Sequence, residues 1–360
     1  MPRLRHALLA TAASIATVAA LAGCGSINEP ADTPSDDAPS TPTDVDLTWT
    51  PPEGLSGSLT IYSANPQALT DNLVAAFTEA TGVQVEVFAG ETGKITAKLD
   101  AEWDNPQADL VYLASWAPAA NYAEQGRTLA YKPFGFDSIH EGWAPADGSF
   151  VGRDGSALAL TVNTAVAPSI PSDWADLADP AFKDLVIMPD PRESGTAADL
   201  ITAMVTVNGK DATWKLFDDL FANGLVVQGA NGPALDDVTA GSHAVILGGV
   251  DYSAYSAIKK GESLQVVFAS SGTTITPRPI FIVKGTKNEA AAKAFEDFMF
   301  SQQGQEISAA ANMIPAQPSV PVASGTRAYD DVEQLDVDWD EIAANGSSVV
   351  DEFVSRYLAG

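Results

Sequence analysis

The chain is poor in cysteine, histidine and basic residues, and each shortage removes a class of function. Its 360 residues include one cysteine, so no intrachain disulfide can form and no thiol is left for a metal cluster. The three histidines, His6, His140 and His243, are scattered singly. They give neither zinc-ligand spacing nor a base oriented beside a nucleophile. Lys+Arg number 19 against 47 Asp+Glu, a net charge of -28. Such a surface lacks the concentrated cations that nucleic-acid phosphates need, so no nucleic-acid partner is expected. Two nucleotide and hydrolase motifs are missing as well. Gly90-Glu91-Thr92-Gly93-Lys94-Ile95 has its glycines too close for a P-loop and no Ser or Thr after the lysine. There is no G-x-S-x-G elbow, and no cofactor is expected.

What is present begins with a basic start (Arg3, Arg5) and an apolar run, Ala7 to Leu21, too short and wrongly flanked for a permanent span. It ends in Leu21-Ala22-Gly23-Cys24, which resembles the bacterial lipobox. That resemblance implies a signal peptide over 1–24 and a diacylated Cys24 that anchors an extracytoplasmic protein to the cell membrane. Residues 25–56, rich in Ser, Thr, Pro, Asp and Ala, then read as a disordered tether.

The remainder, in a chain 46% hydrophobic and 18% charged, is ample for two globular units. Strands over Ser58–Ser63, Val83–Phe88 and Ala108–Leu113 alternate with helices, one of them over Lys94–Trp103, a β-α-β-α-β succession that predicts a parallel sheet. Ligands gather at the carboxyl ends of such strands, where Ser63, Asn65, Thr92, Ser115 and Trp116 fall. Tyr131–Gly155 reads as irregular, followed by a strand over Ser156–Val162. Farther on, the strand Leu185–Met188 runs through Pro189 and Pro191 into a helix from Ala197 to Val207, with Ser194, Gly195 and Thr196 at its start. A helix start offers unpaired backbone N–H groups and partial positive charge, a site for an anion. The same residues would also serve simply as a helix cap.

Leu59-Thr60-Ile61-Tyr62-Ser63, Ser172-Asp173-Trp174-Ala175-Asp176-Leu177, Pro189-Asp190-Pro191 with Ser194-Gly195-Thr196, and Ala291-Ala292-Lys293-Ala294-Phe295-Glu296-Asp297-Phe298 together look like the solute-binding proteins of ABC importers. The likeness is to the branch of ferric-iron, phosphonate and sugar-phosphate binders. It implies an α/β, two-lobed type II periplasmic-binding-protein fold with ligand in the inter-lobe cleft. Lobe 1 is expected over 57–155 and 270–312, lobe 2 over 156–269 and 313–360. The protein would be a monomeric receptor, not an enzyme, passing its solute to a membrane permease. Ferric binders of this branch carry a His after the first strand, a Glu after the third and two adjacent tyrosines. Here those places hold Asn65-Pro66, Ala114-Ser115-Trp116 and Asp251-Tyr252. No metal site is therefore expected, and a small anionic organic ligand, a phosphonate or phosphate ester, suits the hydroxyls better. Ser63, Thr92, Ser115, Ser194 and Thr196 would donate, with backbone N–H groups near Gly195. Arg192 or Arg278 would supply counter-charge, and Trp116 an apolar wall. Asp251 and Tyr252 would meet an ammonium or hydroxyl end. Ferric iron and a lipid-anchored cell-wall hydrolase or adhesin stay open as alternatives.

Overall fold

Fully buried strands in the middle of this molecule carry charge, and that sets its architecture. The computed structural model describes residues 45–359; the expected signal peptide, Cys24 and most of the expected tether lie outside them. The first half contains β1 (Ser58–Ser63), α1 (Gln67–Thr81), β2 (Gln84–Ala89), α2 (Thr92–Ala101), β3 (Leu110–Tyr112), α3 (Trp116–Glu124) and β4 (Thr128–Leu129). β5 (Val151–Asn163) leads to β6 (Val186–Met188), α4 (Gly195–Asn208), α5 (Lys210–Ala222), β7 (Val226–Val227) and α6 (Asn231–Thr239). Then come β8 (Val245–Val250), α7 (Asp251–Lys259), β9 (Leu264–Val267), β10 (Ile275–Val283), α8 (Glu289–Met299), α9 (Gln302–Ala310), β11 (Ile314–Pro315) and α10 (Trp339–Tyr357).

The sheet runs in the order β2-β1-β3-β10-β5-β8-β6-β7, with β4 on β10 and β9 and β11 on β5. β1 pairs parallel with β2 and β3, as the βαβ succession requires. β5 is shared: residues 151–157 pair with β10, and residues 158–163 pair with β8 and β9. Two lobes follow, each with its own core. Phe77, Phe295 and Phe298 pack in one, and Trp214, Phe217 and Phe353 in the other. Phe77 is fully buried, with its ring centroid 4.9 Å from that of Phe295; truncating such a ring to Ala costs roughly 3–5 kcal/mol.

Three segments depart from the sequence reading. Val151–Gly155, expected to be irregular, is the first half of β5. Gly152 and Gly155 look like turn residues, yet they are there for space. A Cβ on Gly155 would lie 2.6 Å from the Trp143 ring, and one on Gly152 2.8 Å from Pro277 Cβ. Residues 45–56, expected as tether, are part of the body: Leu47 is buried, its carbonyl accepts from Gln302 N–H at 2.9 Å, and Trp49 packs edge-on to Phe298. Met313, Ile314 and Val332, expected with lobe 2, pack in the first core, whereas Leu335 and α10 join the second. α10 also packs against both α3 and α4, strapping the lobes together on one side.

Candidate functional site

A cleft of about 920 Å³ opens between the lobes. Its walls are largely helix starts: Asn65–Gln67 before α1, Glu91–Thr92 at α2, Ser194–Thr196 at α4, Asn231–Gly232 at α6 and Tyr252–Ser253 at α7. The starts of α1, α2 and α6 have no side-chain cap, so their first N–H groups are left to the cleft. α4 is capped by Ser194, whose Oγ accepts from Ala197 N–H at 3.3 Å. Asn231 ties that start together, donating from Nδ2 to Ser194 Oγ at 2.9 Å and Thr196 Oγ1 at 3.1 Å. The two hydroxyls lie 3.1 Å apart. Ser194 Oγ already accepts two bonds, so it donates to Thr196, and the Thr196 proton is left to point elsewhere. Across the cleft, Thr92 Oγ1 is buried with no hydrogen-bond partner among the described residues.

The lobes touch where these starts converge. A Cβ on Gly195 would meet Ser115 Cβ at 2.5 Å and Thr92 Oγ1 at 3.0 Å, and one on Gly93 would meet the Arg192 carbonyl at 2.9 Å. Glycine is therefore needed at both positions for the lobes to approach this closely.

Arg278 enters from β10. It is 1% exposed yet lines the cleft, donates from Nε to Asn65 Oδ1 at 2.7 Å, and holds its guanidinium 5.1 Å from the Tyr252 ring centroid. Acidic groups line the same cleft: Glu91, Asp236 and Glu262. Burial raises the Glu91 carboxyl above its ordinary value, with Arg278 opposing.

Seven expected residues thus come together: Asn65, Thr92, Ser194, Gly195, Thr196, Tyr252 and Arg278. Five do not line the cleft. Ser63 is fully buried, its hydroxyl 3.0 Å from Thr70 Oγ1. Ser115 faces away and donates to Asp199 Oδ1 at 2.8 Å. Trp116 is core, edge-on to Phe150 and beside Trp339. Arg192 is half-exposed outside the cleft and pairs with Asp190. Asp251 is 1% exposed and accepts from the N–H groups of Ala157 (3.1 Å) and Tyr252 (2.8 Å). Burial pushes its carboxyl up to about 7 against those bonds.

Sequence reasoning missed Asn231 and Glu91. Both obey the rule that found Ser194, since Asn231-Gly232-Pro233 opens a helix just after β7 and Glu91 precedes α2. Asp199, raised to about 7 by burial, carried no signal, being one acid among the apolar residues of a helix.

Among known proteins, the family model described as bacterial extracellular solute-binding protein matches residues 105–345. A protein of Haemophilus influenzae is 29% identical over 70% of this chain and 75% of its own length. A putative 2-aminoethylphosphonate-binding periplasmic protein of Salmonella typhi is 23% identical over 76% of this chain and 83% of its own. Of solved structures, the fructose-6-phosphate-bound periplasmic binding protein AfuA of Actinobacillus pleuropneumoniae superposes with a TM-score of 0.79 at 24% identity, covering 84% of this chain and 99% of that one. Iron-bound HitA of Pseudomonas aeruginosa gives 0.75 at 19% identity, covering 82% and 98%. The type II periplasmic-binding-protein fold expected from the sequence is thus the observed one. The chain belongs to the bacterial extracellular solute-binding proteins, and it is a binding protein rather than an enzyme.

Proposed function

We propose that the cleft captures a small organic anion with a phosphate or phosphonate head and delivers it to an ABC permease, with Cys24 as the lipid anchor. One observation carries the reading. The hydroxyl–amide cluster at the start of α4 faces an unpartnered buried hydroxyl, Thr92, at the start of α2, beside the buried cation Arg278. Helix starts, hydroxyl donors and a guanidinium are the groups that stabilise a phosphoryl oxygen. The acids Glu91, Asp236 and Glu262 suit a second end bearing an ammonium or hydroxyls. The sequence places that end at Asp251 and Tyr252; Tyr252 lines the cleft, but Asp251 is spent on backbone N–H groups. The phosphonate and sugar-phosphate binders among the relatives support the class.

A thermal-shift series with 2-aminoethylphosphonate, glycerol 3-phosphate, fructose 6-phosphate and ferric citrate tests this. A ligand at about 100 times its Kd adds about 2.7 kcal/mol to the native state, a rise of several degrees. The reading fails if no phosphorylated or phosphonate compound raises melting while ferric iron develops a tyrosinate colour through Tyr252. Loss of membrane retention in Cys24→Ala tests the anchor.

A further inference from the structure

Arg278 and Asp154 are paired residues on β10 and β5, both essentially without solvent exposure. Such neighbours ordinarily close a charge-assisted pair at about 2.8 Å that consumes the guanidinium fork. Here Arg278 Nε stands 3.8 Å from Asp154 Oδ1. The carboxylate is already occupied. The Tyr112 hydroxyl donates between its oxygens (2.8 and 2.7 Å), and Ser308 Oγ (2.7 Å) and Arg153 Nη1 (2.9 Å) donate to Oδ2. Arg278 in turn gives Nε–H to Asn65 and makes two long bonds, Nη1 to Ser156 Oγ at 3.3 Å and Nη2 to the Ala64 carbonyl at 3.5 Å. Beyond these three bonds the guanidinium lies against the Tyr252 side chain, with no carboxylate at hydrogen-bond distance among the described residues.

We propose that Tyr112 and Ser308 act as a clamp on Asp154: they keep its carboxylate from closing an ion pair on Arg278, which Asn65, Ser156 and the Ala64 carbonyl hold at the cleft wall. Two guanidinium groups, Arg153 and Arg278, share this one carboxylate, and Glu91 and Asp251 act on Arg278 without bonding to it, so the buried guanidinium has no direct carboxylate partner among the described residues. A buried charge wants a partner, and the anion of the ligand supplies it. The clamp keeps Asp154 from becoming that partner. This inference rests on the reading of the cleft as an anion site.

The test compares wild type, Ser308→Ala, the Tyr112→Phe/Ser308→Ala pair, and that pair with Asp154→Asn, using calorimetric titration with 2-aminoethylphosphonate and glycerol 3-phosphate. Releasing Asp154 lets it swing onto Arg278, and affinity for a bound probe should fall about tenfold or more in the double variant, equal to about 1.4 kcal/mol. Adding Asp154→Asn removes the competing charge and should bring affinity back to within about threefold of wild type, about 0.7 kcal/mol. A purely structural role predicts the reverse, with the triple variant weaker still, and would overturn the proposal. Melting without ligand checks that each variant folds, and Ser308→Ala serves as the gentler variant. Crystal structures of the ligand-free variants read the clamp directly. Arg278 Nε should close to hydrogen-bond distance of Asp154 in the double variant, and an unchanged separation sinks the inference whatever the ligand proves to be. If neither probe binds wild type, it is the anion reading that has failed, and the separation still decides the role of Asp154.

Discussion

Ser115 Oγ donates to Asp199 Oδ1 at 2.8 Å across the seam between the lobes, and Trp116 N–H reaches Oδ2 at 3.3 Å. Ser115 follows β3, the last strand of the β-α-β-α-β succession, and Asp199 lies in the second turn of α4. Behind them is a second, smaller cavity of about 290 Å³ lined also by Arg192, Glu193 and Asp351, under α10. The bond joins the lobes on the side away from the main cleft. Removing it with Ser115→Ala should cost roughly 1–3 kcal/mol, because the buried carboxylate loses one of two donors. Chemical denaturation measures this, and an unchanged midpoint would show that water replaces the hydroxyl at no cost.

Acidity should act through the same residue. Asp199 and Asp251 are both pushed up to about 7 by burial from an ordinary 3.8. The native state therefore holds protons that the unfolded chain has lost between about pH 4 and pH 7, and stability should fall as pH rises through that window. Each carboxyl contributes a slope of at most about 1.4 kcal/mol per pH unit. Asp190 titrates the other way: its bonds from Arg192 outweigh burial and hold it below 3.8, so its contribution disappears only in stronger acid. Asp199→Asn should flatten the slope between pH 5 and 7. A slope that is the same in Asp199→Asn as in wild type would refute the assignment.

Much of this was legible in the sequence, and the boundary has physical causes. The strand–helix alternation of residues 58–113 and the start of α4 were readable because period and capping chemistry are local. Which face each strand-end side chain takes was not. Ser63, Ser115 and Trp116 sit at the correct edge, yet their side chains turn to Thr70, Asp199 and Phe150, partners set by packing. The first part of β5, Val151–Gly155, was hidden for a related reason. Gly-Arg-Asp-Gly reads as a turn unless one knows that Tyr112, Ser308 and the carbonyls of Met299 and Gly304 wait to satisfy its charges. The two candidate cations, Arg192 and Arg278, were indistinguishable in sequence and are opposite in structure.

That difference can be measured. Arg192→Ala removes a half-exposed guanidinium whose partner is Asp190 and which lies outside the main cleft. Ligand affinity should change less than about twofold, under 0.5 kcal/mol. Arg278→Gln removes the buried cation of the cleft and should weaken an anionic ligand by about tenfold to a hundredfold, 1.4–3 kcal/mol. Titration of both variants against wild type decides it. Equal losses would return Arg192 to the site.

Gly195 offers the sharpest steric test of closure. Alanine is a better helix former than glycine by about 1 kcal/mol, so helix propensity alone would make Gly195→Ala harmless or mildly stabilising at the start of α4. The added Cβ would lie 2.5 Å from Ser115 Cβ and 3.0 Å from Thr92 Oγ1, both on the opposite lobe. A single lobe can accommodate the methyl group; two lobes in contact cannot without separating. The expected outcome is a protein that melts within a few degrees of wild type but scatters X-rays with a larger radius of gyration. Its ligand affinity should fall about tenfold, roughly 1.4 kcal/mol, because closure must now overcome the clash. If Gly195→Ala keeps both the wild-type radius and the wild-type affinity, the contact of Gly195 with Thr92 and Ser115 is not what limits the approach of the lobes.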